Sequence, residues 1–152
     1  MRVIFAFAAV ASISLLAQEG TRTMTEIAKG FFTVEMSPLA PAPAEGLARF
    51  SSVKQIHGDL EGTSKGEMIS GGDPKQGSAG YVAMEVVTGS VKGKKGSFAL
   101  QHSATMDASG QKLSIVIVPG SGTGELKGIA GTFNIQIANG HHSYKLEYSL
   151  PK

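Results

Sequence analysis

The sequence predicts an all-β fold, an eight-stranded antiparallel up-and-down β-barrel, on three observations. Eight short stretches alternate apolar and polar residues or are rich in β-branched ones, and no window beyond the first 17 residues carries a helical period. A ten-residue pattern occurs twice, beginning at Gly89 and at Gly124, with glycine, a branched apolar residue, lysine, two further glycines, a hydroxyl residue and phenylalanine in matching slots. A weaker echo starts at Gly58. Each copy lies between alternating stretches and reads as a turn that reverses one strand into the next, its glycines supplying positive φ and its apolar slots packing beneath. The remaining joints are mostly tight-turn signals. Strands connected in this way leave two bare edges unless the sheet closes on itself, which favours a barrel over a two-sheet sandwich. An eight-stranded barrel is just wide enough inside for packed side chains or one small ligand.

The chain begins with a targeting segment. Met1 and Arg2 form a basic start, residues 3–16 are apolar or small, and Ala17 precedes the polar Gln18-Glu19-Gly20. This is the layout of a secretory signal peptide over residues 1–17. The run is shorter than the ~20 residues of a spanning helix, so no stable membrane insertion is expected after its removal, and the location implied is secreted or periplasmic. Residues 18–28 read as a linker and 29–152 as one barrel domain.

Within that domain the first strand is expected over 29–36, with Phe32, Val34 and Met36 on one face. Residues 37–45 hold Pro38, Pro41 and Pro43 and read as a loop, a candidate rim or lid. Further strands are expected over 47–58, 60–70, 80–88, 97–106, 112–118, 131–138 and 141–150. The joints include Gly71-Gly72-Asp73-Pro74, Asp107-Ala108-Ser109-Gly110 and the two-residue hairpin signal Asn139-Gly140.

Composition excludes several classes of function. There is no cysteine, hence no disulfide, thiolate metal site or cysteine nucleophile, and a formal net charge of +2 offers no polyanion-binding surface for nucleic acid. Gly120 to Gly124 lacks the lysine and the following helix of a phosphate cradle, and reads instead as a loop that lets backbones approach closely. His141 and His142 are adjacent, so on a strand they point to opposite faces. His57 and His102 lie on other strands, and neither a metal nor a cofactor is expected. No G-x-S-x-G elbow is present.

Six residues remain as site candidates. His102 shares a strand face with Phe98, Leu100, Ala104 and Met106, the face expected to point into the barrel. It is either a buried histidine satisfied by a neighbour or a proton donor or acceptor in a ligand cavity. Glu85, on the preceding strand, is its candidate partner. The face of Glu85 holds Tyr81, Ala83 and Val87 and the opposite face holds Val82, Met84 and Val86, so hydropathy leaves its direction open. Phe98 and Leu100 are candidate ligand contacts. Tyr144 and Tyr148 share a face with His142, Leu146 and Leu150, either as an amphipathic wall or as hydroxyls that orient a ligand oxygen.

Two segments also carry a resemblance. G-S-V-K-G-K-K-G-S-F-A-L-Q-H-S over 89–103 and V-P-G-S-G-T-G-E-L-K-G-I-A-G over 118–131 resemble the bacterial domain-of-unknown-function 3224 family, and the similarity runs from about residue 29 to 150. That family is similar in fold to plant allene oxide cyclase and dirigent proteins, eight-stranded barrels around an apolar cavity. Their G-T-G-x-F-x-x-A-x-G segment is matched by Gly122 to Gly131, with Leu126 for the phenylalanine and Ile129 for the alanine. The resemblance implies an allene oxide cyclase-like barrel, and fold alone does not carry an activity.

Three classes of function follow from these readings. The first is a container for a small apolar ligand. The second is an isomerase or cyclase of an apolar oxygenated substrate, as the resemblance implies, with Glu85 and His102 as acid and base. The third is a homo-oligomer or partner-binding barrel that acts through its outer wall, marked by an exterior apolar stripe.

Overall fold

A computed structural model describes residues 24–151, so the expected signal peptide at 1–17 and most of the expected linker lie outside the described residues. Eight antiparallel strands form one closed barrel in chain order, β1 pairing with β8. They are β1 Glu26–Leu39, β2 Leu47–Gly58, β3 Leu60–Asp73, β4 Ser78–Val91, β5 Lys94–Asp107, β6 Gly110–Ile117, β7 Ala130–Ala138 and β8 His141–Ser149. The fold class is the expected one, although several strands outrun the sequence-based limits. β1 begins at Glu26, inside the span expected as linker, and continues through Pro38, which was expected in a loop. Pro38 is tolerated because β1 meets β8 only as far as Phe32, leaving the rest of β1 paired on its β2 side alone.

The two decapeptides fold differently. The first is a hairpin turn between β4 and β5, with Lys92 at φ 46° and Gly93 at φ 85°. The second, also expected as a strand-reversing turn, is the end of a long connection from β6 to β7 that makes a single 3₁₀ turn at Gly124–Leu126. Both copies bury their apolar slot and their phenylalanine, Val91 with Phe98 and Leu126 with Phe133. The shared pattern therefore encodes burial beneath a tight bend, and the bend itself differs.

The connection replaces a strand along the lower half of β5. Ser121 Oγ accepts from Ala99 N at 3.0 Å, Thr123 Oγ1 from Ser97 N at 3.0 Å and Glu125 Oε2 from Lys95 N at 2.8 Å. Three alternate side chains thus satisfy three alternate amides of an otherwise bare strand edge. Glycine is required where the two backbones meet, since a Cβ on Gly96 would lie 2.1 Å from Thr123 O. The S-G-T-G-E run is in this way a structural ladder, in keeping with the close-approach reading.

The two ends of the barrel are unlike. At the end near Leu60 and Val91 the interior is filled by Ile56, Phe98, Leu100, Phe133, Leu146 and Tyr148, and Leu126 and Ile129 of the connection plug it from below. Toward the turns that follow β3 and β5 the inward side chains are sparser and more exposed. β6 and β7 are joined by a single pair, Val116 with Thr132, and nearer the open end Leu113 and Ile137 are exposed. A filled half thus supports a hollow one. Leu126→Ala should lower unfolding free energy by about 2–5 kcal/mol and Leu113→Ala by less than about 1 kcal/mol, read from urea midpoints. Equal losses would contradict the division into halves.

Candidate functional site

The site is set by one glutamate that the strand pairing turns inward. Opposite Glu85 on β3 stands Gly66, where a Cβ would fall 2.5 Å from that of Glu85, so β3 and β4 come together only because position 66 lacks a side chain. Val82, Met84 and Val86 consequently face outward, which resolves the direction that hydropathy left open. Glu85 is 4% exposed, His102 5% and Lys54 7%.

Four side chains from four consecutive strands converge there. Lys54 of β2 donates to Glu85 Oε1 at 2.6 Å, His102 Nε2 of β5 meets the same oxygen at 2.9 Å, and Ser64 of β3 donates to Oε2 at 2.7 Å. The ammonium of Lys54 also stands 5.2 Å from the centre of the Phe32 ring, within cation–π range. Burial alone would raise the Glu85 carboxyl. The hydrogen bond from His102, the charge and hydrogen bond of Lys54 and the Ser64 hydroxyl outweigh it and bring the group down to about 2. At neutral pH the site therefore holds an ion pair with every charge partnered.

Above the cluster lies a well of about 270 Å³, with Glu85, Lys54 and His102 in its lining among Phe32, Val34, Ala83, Ile135 and other apolar side chains. A second space of about 470 Å³, lined by Phe50, Pro74, Ala79 and Ala104 among others, shares Met68, Tyr81 and Gln111 with the well and forms its vestibule. The Tyr81 hydroxyl is held above the usual phenol range by burial and then by the charge of Glu85. Walls that are mostly apolar, with Ser52, Gln111 and His142 among them, and a compact ionic floor suit a small molecule with one polar end. As a general base Glu85 is weak, because a carboxylate that protonates only near pH 2 has little affinity for a proton at neutral pH.

The structure separates the six candidate residues. Glu85 and His102 meet at the floor of the well. Phe98 and Leu100 lie in the filled half, and neither lines the well or the vestibule. The Tyr144 hydroxyl accepts from Leu60 N at 2.9 Å and stands 3.2 Å from Leu60 O, pinning the β2–β3 turn. Tyr148 donates to Glu26 at 3.1 Å, and burial followed by that carboxylate raises it to about 12. Both tyrosines are committed to the closed end. Lys54 and Ser64 were not singled out from sequence. Lys54 did carry a signal, since it alternates in phase with Phe50 and Ile56 on β2. Among the described residues no three His, Cys, Asp or Glu side chains gather as a metal site.

The chain belongs to the family described as protein of unknown function DUF3224, whose model matches residues 28–148. It is similar to a solved structure from Shewanella oneidensis MR-1, a DUF3224-family protein with unknown function. The two are 38% identical over 85% of this chain and 100% of that one, with a TM-score of 0.77. No curated protein matches the chain.

The ion pair gives a pH dependence of definite sign. A group whose carboxyl falls from 4.5 unfolded to about 2 folded contributes stability that is complete above the unfolded value and lost as pH falls through that interval. The contribution is on the order of 3 kcal/mol at neutral pH. Glu85→Gln leaves Lys54 buried without a counter-charge and should cost about 3–5 kcal/mol at pH 7. Its unfolding free energy should also fall less steeply than that of wild type between pH 4.5 and pH 2. Parallel pH profiles for the two proteins would show that the cluster is not ionised as described.

Proposed function

We propose that this DUF3224-family barrel is a container for a small, largely apolar molecule, held in the hollow half with its polar end on the Lys54–Glu85–His102 floor. The observation that carries the proposal is the contrast within one interior, a filled lower half and an apolar well above it whose ionic groups sit at its base. Ligand sites are of this kind, concave and mostly apolar with a few placed polar groups. The weakness of Glu85 as a base favours holding a ligand over transforming one. An isomerase or cyclase of an oxygenated apolar substrate, the activity suggested by likeness to allene oxide cyclase and dirigent barrels, would draw its base from a histidine of the lining, His102 or His142. The apolar run at residues 3–16 supports placing the protein outside the cytoplasm, as a secreted or periplasmic carrier.

Ala83 lines the well and is small, so a larger residue there fills it. With naphthalene as a probe, wild type should bind and Ala83→Phe should lose at least about tenfold in affinity, which calorimetry reads directly. Equal affinity in the two proteins would move the ligand out of the well, and no binding to wild type would remove the container reading for molecules of that size.

A specific observation favours a second reading, assembly through the outer wall. Val82, Met84 and Val86 are 56%, 49% and 51% exposed in one row on β4, with exposed Ile69 beside Val82 on β3. A contiguous apolar row of this kind marks association surfaces. Sedimentation of the wild type as a multimer, and of the double variant Val82→Lys with Met84→Lys as a monomer, is the expected result. A monomeric wild type would contradict it.

A further inference from the structure

The floor of the well presents one polar atom that the ionic cluster does not use. His102 meets Glu85 through Nε2, and an ionised carboxylate has no proton to give, so Nε2 carries the hydrogen of that bond. Whenever the ring carries a single hydrogen, that hydrogen sits on Nε2 and the lone pair on Nδ1. The ring makes its hydrogen bond to Glu85 through Nε2 alone, and no buried side-chain nitrogen or oxygen among the described residues lacks a partner. Nδ1 must therefore be reachable from open space, and the open space that His102 lines is the well.

We infer that His102 Nδ1 is the hydrogen-bond acceptor the well turns toward its occupant, and that the occupant is an apolar alcohol or phenol. The inference rests on the container reading and narrows it to a chemical class. A hydroxyl donates its proton to Nδ1 and so keeps that acceptor paired once water has left. A ketone or an ether of the same shape can only accept. It would strip water from Nδ1 and return no donor, which leaves an unpaired acceptor in an apolar space. Glu85 is the positioning residue. Lys54 and Ser64 hold its charge in place, and that charge selects the Nε2–H tautomer.

Two measurements test this, one of which needs no ligand. In protein labelled with ¹⁵N at histidine, the ring nitrogens of neutral His102 should report hydrogen on Nε2 and a bare Nδ1. Glu85→Gln should turn that into a mixture of tautomers. Hydrogen on Nδ1 in the wild type would overturn the inference, and an unchanged tautomer in Glu85→Gln would remove the positioning role of Glu85.

The second measurement compares 2-naphthol with 2-methoxynaphthalene by calorimetry, in wild type and in His102→Phe. The two probes share an apolar body and differ in the hydroxyl proton. The preference for the naphthol should fall roughly threefold to tenfold in the variant, the share of one neutral hydrogen bond. A preference that is the same in both proteins overturns the hydroxyl assignment while leaving a container. Failure of both probes to bind wild type removes the container reading for molecules of that size and overturns the hydroxyl assignment with it, while the tautomer still decides the state of Nδ1.

Discussion

A carboxylate inside a protein must be matched by donors and positive charge, and the interior of this barrel is arranged around one such match. Glu85 takes hydrogen bonds from Lys54, Ser64 and His102, so side chains of β2, β3, β4 and β5 have to reach the same level of the barrel. The pairing registers meet that demand. Lys54 stands directly opposite Ser64, Gly66 opposite Glu85, and Leu100, two residues before His102, opposite Glu85 on its other side. Sliding any of these strands by one residue would turn its member of the cluster outward and leave the others short of a partner. The ionic cluster thus specifies register at the level where the filled interior gives way to the hollow one.

The closed end supports this arrangement with different chemistry. There the connection after β6 lies against β5 as a row of side-chain acceptors, and Leu126 and Ile129 descend from it into the core. Tyr144 reaches from β8 to the backbone of Leu60, 84 residues away in sequence, and its ring stacks on Phe133 with centroids 5.2 Å apart. With one end packed and pinned in this way, the other can stay open without loss of shape. A rigid base beneath a sparsely filled mouth is the condition under which a cavity persists in a small domain.

Much of this was legible in the sequence because strand periodicity and turn chemistry are local signals. The eight alternating stretches became the eight strands, and Asn139-Gly140 closed its hairpin. Pro38 shows the limit of reading a proline by itself. Whether it breaks a strand depends on whether a neighbour needs its amide, and β8 ends before reaching it. The second decapeptide shows another limit, since identical slots serve a hairpin where a strand follows at once and a 3₁₀ turn where a bare edge must be covered. Glu85 and His102 were found from their strands, whereas the direction of Glu85 required the Gly66 contact from β3. Residue type does not mark Lys54, because a lysine on a strand is ordinarily solvated, and only its phase with Phe50 and Ile56 points it inward. The tyrosine hydroxyls are assigned only by closure, which brings the Leu60 backbone to Tyr144 and the Glu26 carboxylate to Tyr148.

Whether the hollow half holds a ligand is read by native mass spectrometry of the protein purified from its own host, followed by extraction of whatever accompanies it. One small apolar molecule per chain, displaced from the Ala83→Phe variant, is the expected result. A wild-type chain that carries nothing and takes up no apolar compound from a host lipid extract would contradict the container reading.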